Sequence, residues 1–466
     1  MSMKKSIFIL YVLYISLQPS LGQELAGSWK GELDVMGQKL PLVFNFQKEG
    51  GEWAGTMDSP NQGAKGIKLS KVLFEGILLN LEIAAGGISY EGILTSELIK
   101  GKFTQNGMNF PLDLQKLSVD AVDEVPKRPQ TPIAPFDYDL EETTFENLSA
   151  GIKLEGTITK PRGDGPFPAV ILISGSGPQD RNQEILGHKP FWVVADYLTS
   201  QGIVVFRYDE RGVATSEGDF ATATSIDFQK DAESALDHLS KFPFVDQTKI
   251  GVIGHSEGGM IAWEIGAGAI SPNFLVALAA PVVPISDLMV KQTKDIARSS
   301  GLSKTFVDQQ VSFNASFYEL LKMSNSEAEA KSKLTGLIEE SLANQELSDE
   351  TKSQQKEALL KAYEPNISPW LINFLKTKPE IAISKINIPV FAAFGGKDLQ
   401  VNAAENGNLL NSLFEEKSEL LHLKVYPEMN HLFQTAKTGA VSEYSQIEES
   451  ISEEVLRDIA AFILKR

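Results

Sequence analysis

The sequence contains no cysteine. Disulfides, thiolate nucleophiles, cysteine-ligated metal and lipid attachment through an N-terminal cysteine are therefore excluded, and stability must come from packing. Histidine is scarce, with five in 466 residues. They stand at positions 188, 238, 255, 422 and 431 without any HExxH-type pairing, so neither a metal nor another cofactor is expected. Basic charge is in deficit: 43 Lys and Arg against 61 Asp and Glu leave a net charge of −18. That sign opposes nucleic acid and anionic membranes as partners. A long apolar run at the amino terminus is missing too. Residues 7–17 form one that falls well short of the roughly 20 residues needed to span a bilayer, which argues against stable membrane insertion. Flanked by Lys4 and Lys5 before it and Ser20-Leu21-Gly22 after it, this run reads as a signal peptide over residues 1–22, with the mature chain starting near Gln23. A secreted or periplasmic protein is the expectation.

What is present is apolar material for more than one core: 42% of the residues are hydrophobic and 9% aromatic. From residue 27 to about 116 apolar and polar residues alternate in short runs broken by glycine, as in Leu42-Val43-Phe44-Asn45-Phe46 and Ile88-Ser89-Tyr90-Glu91-Gly92. This pattern predicts an antiparallel meander of seven to nine strands, a small all-β barrel or sandwich over residues 23–117. A barrel of that length is filled by its own side chains more readily than by a ligand. Residues 118–137 carry Pro126, Pro129, Pro132 and Pro135 among charges and read as a linker.

Beyond residue 138 the texture changes. Continuous apolar runs at 169–173, 203–206, 250–253, 274–278, 390–394 and 421–426 are separated by helical stretches. Such runs indicate a mostly parallel sheet buried on both faces, an α/β domain over residues 138–466. Alternation over 143–159 predicts an antiparallel hairpin at the sheet edge. Between about 287 and 385 the rhythm breaks into helical periodicity without strand signals, which predicts a helical cap inserted between two strands.

The chemistry gathers around Gly254-His255-Ser256-Glu257-Gly258, which follows the strand ending at 253 and opens a helix. A GxSxG turn needs small residues on either side of the serine because the turn is tight and lifts the hydroxyl clear of the sheet edge. A neutral serine needs a base, and the base needs a carboxylate to orient it. Asp398, in Gly395-Gly396-Lys397-Asp398, and His431, in Pro427-Glu428-Met429-Asn430-His431, both follow strands, in the order serine, acid, histidine. The other histidines fit less well: His255 lies inside the elbow, His422 in a strand, His238 in a helix and His188 in a loop. For the oxyanion, the backbone N–H of Glu257 is one expected donor. Ser174-Gly175-Ser176-Gly177-Pro178 offers the second, assigned to Ser176. Asp209 and Arg211 read as taking a structural ion-pair role that holds the loop after the strand at 203–206, in preference to a catalytic one. Gln179, Asp180 and Arg181 either line the acyl side of a pocket or brace the oxyanion loop, while Trp370 and Phe374 form either an aromatic wall over the site or part of the cap's core.

These stretches, together with Arg207-Tyr208-Asp209-Glu210-Arg211-Gly212, resemble the α/β-hydrolase superfamily, in its serine-aminopeptidase-like and bacterial carboxylesterase branch. The resemblance covers about residues 138–466 and implies a Ser256, Asp398 and His431 triad with amides of Ser176 and Glu257 at the oxyanion. Ser174 stands where many relatives have histidine, and Ala214 where a second glycine is common, departures that concern loop shape. Gly27-Ser28-Trp29 resembles the opening of lipocalin-like barrels. The expected activity is hydrolysis of small or medium carboxylic esters through an acyl-serine, with Gln179 and Trp370 as candidate substrate contacts. An exo-acting aminopeptidase is the alternative, should acids of the cap such as Glu327, Glu329, Glu339 or Glu340 bind an α-amine. A non-catalytic binding protein on a hydrolase scaffold is the rival from another class.

Overall fold

A computed structural model of the protein describes residues 25–466 apart from 36–37, 60–63, 85–86, 106–107, 118–126, 301–302, 344 and 346. The expected signal peptide and the first part of the expected linker lie outside the described residues. Among the described residues no helix is long and apolar enough to cross a membrane. The chain divides into two compact units.

The amino-terminal unit is all β. Its strands are β1 (Gly27–Val35), β2 (Gln38–Glu49), β3 (Glu52–Ser59), β4 (Ala64–Lys68), β5 (Lys71–Glu75), β6 (Leu78–Ile83), β7 (Ile88–Thr95), β8 (Leu98–Gln105) and β9 (Met108–Lys116). They form one curled sheet in the order β4-β3-β2-β1-β9-β8-β7-β6-β5, a single layer and not a two-sheet sandwich. Alternation decides which side is buried: in β6, Leu79, Leu81 and Ile83 point inward while Leu78, Asn80 and Glu82 are exposed. The inner face is filled by Trp29, Phe44, Tyr90 and Phe103, all buried. Tyr90 lies across Gly101, where a Cβ would come 2.3 Å from its hydroxyl oxygen, and that hydroxyl donates to the Leu112 carbonyl at 3.1 Å. The Trp29 indole donates to the Leu25 carbonyl at 2.7 Å. Each polar tip is thus satisfied inside the apolar face.

The second unit holds an eight-stranded mixed sheet. A hairpin of β10 (Tyr138–Asn147) and β11 (Ile152–Pro161) forms its edge, followed by β12 (Phe167–Ile173), α1 (Pro190–Ser200), β13 (Val204–Tyr208), α2 (Ser225–Ser240), β14 (Val245–His255), α3 (Glu257–Ala267) and β15 (Phe274–Leu278). Six helices come next: α4 (Ile285–Ser299), α5 (Lys304–Lys322), α6 (Glu327–Ala343), α7 (Asp349–Tyr363), α8 (Pro369–Phe374) and α9 (Pro379–Ile383). The sheet resumes with β16 (Val390–Gly395), α10 (Ala403–Leu413) and β17 (Leu421–Tyr426), and α11 (Glu453–Ile463) ends the fold. Strand order is β10-β11-β13-β12-β14-β15-β16-β17, antiparallel only at the β10–β11 and β11–β13 pairings.

The sheet has two apolar faces, as continuous apolar strands require. Along β12, Ala169, Ile171 and Ile173 enter a core shared with α2 and α3, whereas Val170 and Leu172 enter a second core shared with α1 and α11. Strands with both faces buried project their carboxyl ends as the one accessible edge, and the elbow, the acid loop and the histidine loop all lie there. The helical run between β15 and β16 interrupts the sheet where the sequence loses its strand signals.

Candidate active site

Ser256 is the single residue between the end of β14 and the start of α3, and its φ of 54° places a non-glycine residue in the left-handed region. The sharp reversal explains the flanking glycines. A Cβ on Gly254 would meet the Gly258 carbonyl oxygen at 2.1 Å, and one on Gly258 would meet the Ile173 carbonyl oxygen at 2.1 Å. The Ser256 amide donates to the Leu278 carbonyl at 2.9 Å, pinning the turn to β15.

Asp398 and His431 are brought together by two loops that pack backbone to backbone. Cβ atoms on Gly395 and Gly396 would meet the Met429 and Pro427 carbonyl oxygens at 2.4 Å and 2.6 Å. Across this contact His431 Nδ1 lies 2.7 Å from Asp398 Oδ2, with both side chains buried. The other carboxylate oxygen, Oδ1, accepts from the Gln400 and Val401 amides at 2.7 Å and 2.9 Å. An ionised Asp398 accepts the Nδ1 proton, which leaves the His431 Nε2 lone pair free. Asn430 shapes the histidine loop, its Oδ1 accepting from the Leu432 and Gln434 amides at 3.0 Å each. The His431 ring lies 4.9 Å from that of His255, the chain neighbour of Ser256. The elbow, His431 and Asp398 therefore share one corner of the sheet edge.

The remaining histidines are occupied elsewhere. His255 Nε2 lies 2.9 Å from the His431 carbonyl and its Nδ1 lies 3.0 Å from Gln183 Nε2. Burial, with the positive influence of His431, pushes it down to about 3, so it is a neutral spacer donating through Nε2. His188 is held by Ser450 and the Tyr444 carbonyl, and burial pushes it down to about 4. His238 meets the Thr143 hydroxyl among phenylalanines, and His422 stacks on Phe391.

The loop after β12 runs past the elbow. A Cβ on Gly175 would sit 3.3 Å from Ser256 Cβ, so glycine allows the closest approach there. The Gly175 amide is directed at Gln183 Oε1, 3.4 Å away. Ser176 comes next, and its hydroxyl donates to Glu257 Oε2 at 2.6 Å. The Glu257 amide belongs to the first turn of α3, whose N–H groups have no acceptor within the helix.

Two buried carboxylates that the sequence pattern does not single out hold this loop. Glu210 accepts from the Ser174 hydroxyl at 2.6 Å and the Gln179 amide at 3.0 Å. Glu257 accepts from Ser176 and also from the Ser225 hydroxyl at 2.6 Å and the Trp370 indole at 2.8 Å, both through Oε1. Trp370 thus reaches the residue after Ser256, and its ring stacks on Phe374 at 5.0 Å. Gln179 is half-buried, its side chain turned to the Ser176 carbonyl at 3.3 Å. Asp209 and Arg211 each take an ion-pair role, with separate partners. Asp209 pairs with Arg181 at 2.7 Å and Arg211 with Asp231 at 2.6 Å, because the two side chains face different neighbours, the loop after β12 and α2. Arg181 therefore braces the loop after β12 through Asp209. The cap acids Glu327, Glu329 and Glu339 pair with Lys331, Lys333 and Lys356 along or between cap helices.

Burial pushes the Glu210 carboxyl up to about 8, with Glu257 and Asp231 adding to the effect. Between the ordinary glutamate value and about 8 the folded protein keeps a proton that the unfolded chain has released. The contribution to stability is complete at acid pH and is lost as pH rises through that window. Glu210→Gln abolishes the titration, and its amide can give its oxygen to the Gln179 N–H and an N–H to the Ser174 hydroxyl. In urea unfolding at about pH 5 and about pH 8.5, the parent is expected to lose on the order of 3 kcal/mol more than the variant between the two conditions. Equal losses in both proteins would overturn this assignment.

The model of the family described as serine aminopeptidase, S33, matches residues 191–435. Esterase EstD of Thermotoga maritima is 26% identical over 330 residues, covering 71% of this chain and 70% of that protein. Esterase FrsA of Klebsiella pneumoniae is 29% identical over 147 residues, about a third of each chain. A solved esterase structure from Pyrococcus furiosus aligns over 73% of this chain and 98% of its own with 15% identity and a TM-score of 0.44.

Proposed function

The chain belongs to the serine aminopeptidase, S33, family and is a serine hydrolase of α/β-hydrolase fold, and from that premise we propose that it hydrolyses carboxylic esters through an acyl-Ser256 intermediate. The observation that carries the reading is the Asp398–His431 hydrogen bond of 2.7 Å beside the Ser256 elbow. In the proposed cycle His431 Nε2 takes the Ser256 proton as Oγ attacks the ester carbonyl, and the negative oxygen is received by the amides of Ser176 and Glu257. His431 then protonates the departing alcohol. Water, deprotonated by the same nitrogen, attacks the acyl-serine, and its collapse releases the carboxylic acid and restores the Ser256 hydroxyl. Gln183 and Asn430 serve by holding His255 and the histidine loop in place.

Esters are favoured over peptides by two observations. The relatives above with the most shared sequence carry the name esterase. Three of the four acids singled out for an α-amine, Glu327, Glu329 and Glu339, are engaged by lysines, with Glu329 held well below the usual carboxylate range by Lys333 and Asn325. A panel of nitrophenyl esters from acetate to octanoate, run beside aminoacyl nitroanilides, tests the choice. Ester turnover with a short- or medium-chain optimum is expected; strong anilide cleavage with negligible ester turnover rejects it. The leader-like segment around Lys4 and Lys5 supports export, and a mature protein whose first residue is Gln23 is the expected mass-spectrometric result.

A further inference from the structure

Glu257 does two separable things. Its backbone N–H faces the proposed oxyanion, whereas its carboxyl turns away and collects three donors from three different segments: Ser176 of the oxyanion loop, Ser225 at the start of α2 and Trp370 of α8 in the helical insertion. Glu257 is 3% exposed, and none of its carboxyl's three partners is a cation. A buried group of this kind costs free energy unless its hydrogen bonds are made, so all three partners must be in place together.

We propose that the Glu257 carboxyl is a positioning residue that couples the helical insertion to the oxyanion site: α8, seated through Trp370, holds Glu257, and Glu257, through Ser176, holds the loop whose amide receives negative charge. Two geometric facts carry this. Ser176 is the only residue of the loop's 174–177 stretch tied to α3 by its side chain among the described hydrogen bonds, the stretch being anchored otherwise by Glu210 through Ser174 and by Gln183 through the Gly175 amide. Trp370, in turn, reaches the elbow through its single indole donor, and its ring is already stacked on Phe374. Closure of α8 and readiness of the oxyanion donors therefore become one event, and transition-state stabilisation depends on a side chain that touches no reacting atom. Burial raises the carboxyl above its ordinary range. A neutral carboxyl keeps the same partners, with the Ser176 hydroxyl turned to accept, and places no second negative charge beside the oxyanion.

The proposal rests on the serine-hydrolase reading, and the experiment separates the two. Full-length Glu257→Ala, Glu257→Gln, Trp370→Phe and Ser256→Ala proteins are compared for kcat, KM and affinity for phenylboronic acid, which adds to a serine nucleophile and places an oxygen in the oxyanion site. Glu257→Ala is expected to lower kcat by about 100-fold, the lower range for losing one oxyanion donor, with KM changed less than about threefold and boronate affinity falling in step with kcat. Trp370→Phe keeps the stacked ring and drops only the N–H, and is expected to cost about tenfold in kcat. Glu257→Gln, which mimics the neutral carboxyl, should recover most of the alanine loss. Should the alanine protein fail to fold, Trp370→Phe and Glu257→Gln carry the test. Parent-like kcat and boronate affinity in Trp370→Phe, or a glutamine variant impaired by about 100-fold, would overturn the coupling. Undiminished turnover in Ser256→Ala would instead sink the serine-hydrolase reading.

Discussion

Ser256→Ala is expected to lower ester turnover by about 10⁴- to 10⁶-fold while leaving the unfolding transition where it was. The change removes one oxygen from a half-buried position. Alanine retains the Cβ that packs against Gly175, and the backbone bond from residue 256 to Leu278 is untouched, so the elbow has no reason to relax. What disappears is the hydroxyl on which the proposed acyl-enzyme forms. The two amides and the binding surface persist, which is why a residual rate above that of water is expected. Stopped assays with nitrophenyl acetate, paired with thermal unfolding, give the answer. A variant within tenfold of the parent, cleanly folded, would mean that another nucleophile does the work.

The second large effect is expected from Asp398→Asn, about 10⁴-fold in kcat. Asparagine can keep its oxygen on the Gln400 and Val401 amides, the two bonds that shape the acid loop, which makes it a cleaner change than alanine. Its NH₂ must then face His431 Nδ1. A donor there forces the imidazole to accept at Nδ1 and carry its proton on Nε2, the nitrogen that has to take the serine proton. The histidine is present in the wrong tautomer. Raising the pH should restore little, because an asparagine cannot orient the correct form, whereas an Asp398 variant hurt only in its folding would recover activity with added stabilisers. Activity of Asp398→Asn within about tenfold of the parent would remove Asp398 from the proposed triad.

Much of the arrangement is legible along the chain. The apolar runs at 169–173 and 390–394 announce buried parallel strands, and the loss of strand signals after 287 announces the helical insertion. The positions of Ser256, Asp398 and His431 follow from the same reasoning, since each stands where a strand ends and glycine or asparagine shapes the turn. In the β unit, alternation identifies the buried side of each strand. It leaves open whether the strands close as one layer or two, because pairing of the last strand with the first is a long-range matter: β1 meets β9 with Trp29 opposite Lys116. The same limit hides the supports of the site. Glu257 and Trp370 are 113 residues apart, and Glu210 and Ser174 are 36 apart. No local period records such partners, and glutamates beside a catalytic turn read as ordinary polar residues. The ion-pair role of Asp209 and Arg211 is legible, but their partners, Arg181 and Asp231, are not, lying 28 and 20 residues away.

The backbone seam between the acid loop and the histidine loop has a further consequence. Gly396 and Lys397 donate their amides to the Tyr426 and Met429 carbonyls at 2.7 Å and 2.9 Å, across the contact that only glycine permits. Asp398 and His431 are therefore carried by one mechanical piece. An opening fluctuation that frees either loop releases both, so hydrogen exchange at Gly396 and Lys397 should report a single unlocking event shared with the segment bearing His431. Inheritance is affected in the same way: a side chain acquired at position 395 or 396 meets the backbone of the loop that bears His431, more than thirty residues away, and is expected to displace it.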